Sequence, residues 1–113
     1  MTKKAKRKGP FHGRWRITWT DQWDEDELDE EQDSFDVETN GIGSFRLVSI
    51  EGEIDYRTTV RDGHPAIEFS WEGGDEADGT PLTGRGWAVL EGEELRGAVF
   101  VHHGDDWQFK AAR

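Results

Sequence analysis

Large apolar side chains recur at every second position of this chain, in runs too short to make the stripe of a helix. In Gly13-Arg14-Trp15-Arg16-Ile17-Thr18-Trp19-Thr20, the residues Trp15, Ile17 and Trp19 alternate with Arg14, Arg16 and Thr18. Successive residues of a strand point to opposite faces. The run therefore predicts a half-buried strand with three apolar groups inward and two guanidinium groups in water. The pattern repeats downstream. Ser34 to Glu38 predicts a short strand before an Asn40-Gly41 turn. Phe45 to Ile50 leads through a turn at Glu51-Gly52 into Glu53 to Val60. There Ile54, Tyr56, Thr58 and Val60 share one face, and Asp55, Arg57 and Thr59 share the other. Beyond an Asp62-Gly63 turn, Ala66 to Glu72 places Ile67, Phe69 and Trp71 inward, with Glu68 and Ser70 outward.

Residues 73–84 read as the longest loop. Gly86 to Leu90, Leu95 to His103 and Trp107 to Ala111 complete the series, with turns at Glu91 to Glu94 and Gly104 to Asp106. Roughly seven or eight short strands with turns about every ten residues predict an all-β antiparallel meander. Closing it into a small up-and-down β-barrel removes the free edges through which such sheets aggregate. A β-sandwich is the alternative architecture.

A core for such a fold must come from residue type, because 35% of the 113 residues are charged. Six Trp, six Phe and one Tyr supply it, each removing a large area from water. The 14 glycines against three prolines suit many tight turns. The length suits one domain. The absence of cysteine excludes disulfides, thiol catalysis and Cys-type metal sites. No apolar stretch approaches the ~18 residues of a spanning helix, and no secretory h-region follows the first basic residues. A cytoplasmic location is the expectation.

Charge divides the chain. Lys3, Lys4, Lys6, Arg7 and Lys8 mark residues 1–10 as a disordered basic tail ending at Gly9-Pro10, and 11–113 as the domain. The net charge is -11, so the body is more acidic still, and residues 21–33 form its densest acidic loop. Such a body repels nucleic acid and anionic membranes, whose phosphates need cations, and suits a basic protein partner.

Gly13-Arg14-Trp15 resembles the G-x-W signature of the calycins, the superfamily of lipocalins, fatty-acid-binding proteins and avidins. The resemblance implies an up-and-down barrel with the first-strand Trp packed at its closed end. It also implies a late basic residue stacked on that ring, for which Lys110 and Arg113 are the candidates. The segments Phe69-Ser70-Trp71-Glu72-Gly73, Gly84-Arg85-Gly86-Trp87 and His103-Gly104-Asp105-Asp106, with Phe109, resemble a group of small uncharacterised bacterial proteins over residues 11–112. That likeness implies a fold and no activity.

Three readings of function follow. The first is a non-catalytic binding or protein-interaction module, with a filled barrel and an external apolar patch around Trp23 and Leu28. The second is a calycin-like cup holding a small apolar or aromatic ligand among Trp15, Trp19, Tyr56, Arg57, Phe69, Trp71, Trp87, Phe100 and His102. The same rings could equally be the core itself. The third is a small-molecule enzyme using Glu76, Arg57 or His102. For it, Glu72, Asp75, Glu76 and Asp78 with Arg85 could form an acid–base site, or pair ionically to hold the loop.

His102, His103, Asp105 and Asp106 form the densest mix of acid–base groups. Adjacent strand residues face opposite ways, so the two imidazoles are not expected to act together. The acidic loop lacks the order of an EF-hand, since Leu28 stands where a ligand belongs. The sequence implies no metal and no cofactor.

Overall fold

The computed structural model describes residues 9–113. The basic tail thus lies outside the described residues except for Gly9 and Pro10. Eight strands follow in chain order: β1 (Gly13–Thr20), β2 (Ser34–Val37), β3 (Ile42–Leu47), β4 (Ile50–Arg61), β5 (His64–Asp75), β6 (Thr80–Glu91), β7 (Glu94–Val101) and β8 (Asp106–Ala112). Each pairs antiparallel with its sequence neighbours, and β8 returns to β1 to close the barrel. The meander is therefore an up-and-down barrel and not a sandwich. One 3₁₀ turn, Glu25–Glu27, lies in the acidic connection between β1 and β2.

Glycine lets so narrow a barrel hold so many rings. Directly across the sheet, Phe45 faces Gly52, Phe69 faces Gly86, Trp71 faces Gly84, and Phe109 faces Gly97. A methyl group added at Gly52 would lie 2.6 Å from Trp71 Cε3 and 2.8 Å from Phe45 Cε2. One added at Gly86 would run into the Phe69 ring. Composition alone suits glycine to turns, but these four sit inside strands, each giving its missing side chain's volume to a ring opposite. The rings then meet one another. Phe35 stacks on Phe45 and Phe109, with centroids 6.2 and 5.4 Å away, and Phe69 and Trp71 approach Phe35 and Phe45 edge-on at 5.3 and 5.1 Å. Such aromatic pairs contribute about 0.5–1.5 kcal/mol each beyond their buried area.

Several boundaries depart from the sequence expectation for identifiable reasons. β1 carries an irregularity between Ile17 and Trp19. The alternation slips there, so Trp19 is 38% exposed and Thr20 takes the inward place. The turn expected at Glu51-Gly52 lies instead at Val48-Ser49, between the paired Leu47 and Ile50. Gly52 is inside β4, opposite Phe45. Val48 adopts a left-handed φ of 57°, unfavourable for a β-branched residue. Its N–H donates to the buried carboxylate of Asp33 at 3.0 Å, which holds the turn.

The loop expected at 73–84 is mostly strand, because β5 and β6 stay paired as far as Asp75 and Thr80. Gly73 permits this, since a side chain there would collide with the Glu51 backbone. Thr58 and Val60 do not join Ile54 in the core. β3 begins at Ile42, opposite Asp55, so the far end of β4 has no β3 neighbour and Val60 is 71% exposed. β7 ends at Val101, which places His102 and His103 in a turn.

Candidate functional site

Trp15 is enclosed at one end of the barrel. Its indole N–H donates to the Phe11 carbonyl at 2.8 Å, and the Arg113 guanidinium lies 4.2 Å from the ring centroid. Arg113 also donates to the Pro10 carbonyl, tying the two termini of the domain together. Of the two late basic residues, Arg113 thus covers Trp15, while Lys110 lies 5.6 Å from the Trp19 ring on the outer face. Phe69 and Trp71 belong to the same buried cluster as Trp15. Tyr56 stands at the rim, its hydroxyl donating to the Glu38 carbonyl. A cleft of about 190 Å³ beside it is lined by Phe11, His12, Glu38, Asn40 and Thr58 among others.

The remaining candidate ligand residues are elsewhere. Phe69 faces inward with Gly86, so Trp87, one residue on, must face outward, opposite Glu68 and Ala98. Arg61 lies 3.9 Å above the Trp87 ring, and Ala66, Val89 and Ala98 are buried on that same outer face. Arg57 faces outward opposite Glu68, and Phe100 faces outward between Arg85 and Asp106. Trp19, Arg57, Trp87 and Phe100 therefore do not line the barrel interior, and His102 sits in the β7–β8 turn. The signal that could have shown this was the small-residue alternation Gly84, Gly86, Ala88, which marks the inward face of β6. The apolar patch expected around Trp23 and Leu28 is not free either. Both pack on the core, with Trp23 edge-on to Trp107 at 5.4 Å.

Two concavities on the outer wall bring charged groups together. The first, of about 630 Å³, is lined by Glu51, Glu53, Glu72, Asp75 and Glu76, with Gly74 among them. Arg46 is the cation beside it, 2.9 Å from Glu76 and 3.6 Å from Glu51. The hydrogen bond from Arg46 holds the Glu76 carboxyl below its ordinary range. Glu51, hydrogen-bonded to Glu76 and repelled by it, is pushed up. Glu53 and Glu72 stand directly opposite each other across β4 and β5, and neither makes an ion pair among the described residues.

Arg85, expected to frame this acidic group, is not in it. Asp75 and Asp78 instead accept backbone N–H groups of Ala77 and Thr80 at 2.9 and 3.0 Å, building the β5–β6 turn. The second concavity, about 550 Å³, is lined by Thr83, Gly84, Arg85, Phe100, Val101, His102 and His103. The turn swings the two imidazoles together, with centroids 4.1 Å apart, where a continuing strand would have separated them.

The buried carboxylate among the described residues is Asp33, and its oxygens accept the N–H groups of Val48 and Asp29. That leaves it a structural group. The described residues place no three His, Asp or Glu side chains in a metal-holding arrangement, and no helix among them is long and apolar enough to cross a membrane.

Fold and surface together define a closed eight-stranded antiparallel barrel with a ring-filled interior and an acidic outer wall. Comparison with protein-family models, with curated proteins and with solved structures yields no match.

Proposed function

We propose that the chain is a calycin-like barrel acting as a non-catalytic protein-interaction module, whose acidic outer groove receives a basic, extended segment of a partner. The Glu53–Glu72 pair carries this reading. Like charges directly opposite on a sheet are destabilising, and a Lys or Arg side chain laid between them would relieve the repulsion. Gly74, two residues beyond Glu72 on the same outer face, has no side chain to hold a second backbone away. Its carboxylates would steer a basic segment in and fix its register.

The packed interior supports an outside site over an inside one. The cleft at the Tyr56 rim, at about 190 Å³, is small beside the roughly 300–1,000 Å³ usual for small-molecule pockets. The calycin likeness is supported by the barrel connectivity and by Arg113 over Trp15.

A fluorescent nona-lysine peptide, titrated against the protein at about 150 mM salt, tests the proposal by anisotropy. Saturable binding in the micromolar range is expected, weakened about tenfold in the Glu53→Gln, Glu72→Gln double variant. Binding that survives that variant, yet falls when carboxylates of residues 24–31 are neutralised, would place the attraction in general charge and reject the groove.

A further inference from the structure

The concavity between β6 and the β7–β8 turn differs from the rest of the outer wall in its charge. In a chain of net charge -11 it is lined by a guanidinium, two imidazoles and a ring, and by no carboxylate. The other cations of the body are largely engaged. Arg14, Arg46 and Arg96 pair with carboxylates, and Arg61, Lys110 and Arg113 lie over indoles. Arg85 makes no ion pair among the described residues. Its neighbours across the sheet are Ser70 on β5 and Phe100 on β7.

The wall behind these groups is tied by hydrogen bonds. The Trp71 indole donates to the Phe100 carbonyl at 3.2 Å, and the His102 N–H donates to the Thr83 carbonyl at 2.7 Å. A side chain on Gly84 would collide with the Phe100 carbonyl, so only glycine fits there. The turn is locked by the Val101 N–H on the Asp105 carbonyl and the Gly104 N–H on the Val101 carbonyl, at 3.0 and 2.9 Å. His103 is held at a left-handed φ of 60°, a conformation that persists only where its surroundings impose it, and it brings the second imidazole alongside the first.

We propose that this wall is a binding site for a small oxyanion carried on a flat ring, an aryl phosphate or aryl carboxylate. The guanidinium fork of Arg85 matches two oxygens of such a group, the Phe100 ring offers a face to the aryl part, and His102 and His103 close the side with N–H donors. Asp105 and Asp106 flank the site from the turn and β8. They would repel a bare, highly charged anion more than a singly or doubly charged one whose ring contributes to binding.

Full-length ¹⁵N-labelled protein titrated separately with phenyl phosphate, benzoate, inorganic phosphate and phenol tests the site by NMR. Saturable shifts are expected at Arg85 and at residues 100–103. One of the two aryl anions should bind at least about tenfold tighter than either phosphate or phenol, and which one does so identifies the headgroup. Arg85→Gln and His102→Ala, both exposed positions, should each retain the wild-type spectrum elsewhere and weaken the tighter ligand, by about tenfold or more for Arg85→Gln. Neither aryl anion binding more tightly than phosphate and phenol would overturn the ring contact. So would shifts confined to the Arg14–Arg16 wall, or an Arg85→Gln variant that binds like wild type, overturn the site.

Discussion

At the scale of single residues, the inward glycines matter as much as the rings they face. Gly52 is backed by Trp71 and Phe45, whose positions are set in turn by Phe35 and the rest of the stack. A methyl group there cannot be absorbed by rotating one free side chain. Gly52→Ala is therefore expected to destabilise the barrel by about 1–3 kcal/mol, the usual cost of overpacking, measurable by urea denaturation. The same change at Gly63 has open space around it but a left-handed φ of 79°, so any loss there would be one of backbone strain and not of packing.

Glu91 gives a residue-scale prediction with a sign. Two hydrogen bonds from Arg96, at 3.1 and 3.0 Å, lower its carboxyl from the ordinary value of 4.5. A folded-state value below the unfolded one means that the folded chain holds the carboxylate more readily. The contribution is then present above about pH 4.5 and lost as pH falls through the lowered value. Wild type should melt above Glu91→Gln at pH 7, and the gap between the two melting curves should narrow as pH falls from 4.5 through the lowered value. A gap that stays constant down to pH 3 would show that the variant loses packing and not charge.

At the scale of elements, what the sequence made legible and what it hid follow one physical division. The strands whose inward positions are large, such as Ile67-Glu68-Phe69-Ser70-Trp71, announce themselves by alternation. So do the turns at Asn40-Gly41 and Asp62-Gly63, where all four residues take the positive φ that these residue types tolerate. Strands whose inward positions are glycine read as loops or turns, as residues 73–84 and Glu51-Gly52 do. Their strand character comes from the ring on the neighbouring strand, a partner that local patterning does not contain. The same holds for Trp19, turned outward by a slip in pairing with β8, about 90 residues downstream, and for Trp87, whose face is set by Gly86 fitting against Phe69. Candidate site residues picked as aromatic were therefore split between core and outer wall. The Arg85–His102 wall was only half visible, because the turn that unites the imidazoles could not be told from a continuing strand.

The Val48-Ser49 turn shows the most non-local control. It has neither glycine nor asparagine at its left-handed position. It is imposed by Asp33, whose two carboxylate oxygens accept the Val48 and Asp29 N–H groups and so clamp the β3–β4 turn to the end of the acidic connection. Asp33→Ala would leave two partly exposed donors without their acceptor and empty a buried place, and a loss of about 1–3 kcal/mol is expected. Hydrogen exchange should show faster amide exchange at Val48 and Asp29 before any change at β6 or β7. Uniform acceleration across all eight strands would mean instead that the clamp supports the whole barrel as one cooperative unit.

At the scale of the whole molecule, two electrostatic effects oppose each other. The ion pairs Arg14–Asp36, Arg46–Glu76 and Arg96–Glu91 are solvent-accessible, and pairs of that kind contribute little and are screened by salt. Against them stands the repulsion among 25 carboxylates in a chain of net charge -11, concentrated in residues 21–33 and in the groove of Glu51, Glu53 and Glu72. Repulsion summed over many groups at distances near the Debye length, about 10 Å at 0.1 M salt, is also screened, and it outnumbers the attractive pairs. Added sodium chloride is therefore expected to raise the melting temperature, with most of the rise between about 0.02 and 0.2 M, where the Debye length falls through the spacing of the surface charges. The same screening should weaken the nona-lysine complex, so the free protein gains stability over the range in which the complex loses affinity. A melting temperature that falls with salt would show that the ion pairs outweigh the repulsion. The acidic groove would then be an internally balanced surface with no excess charge to attract a basic partner.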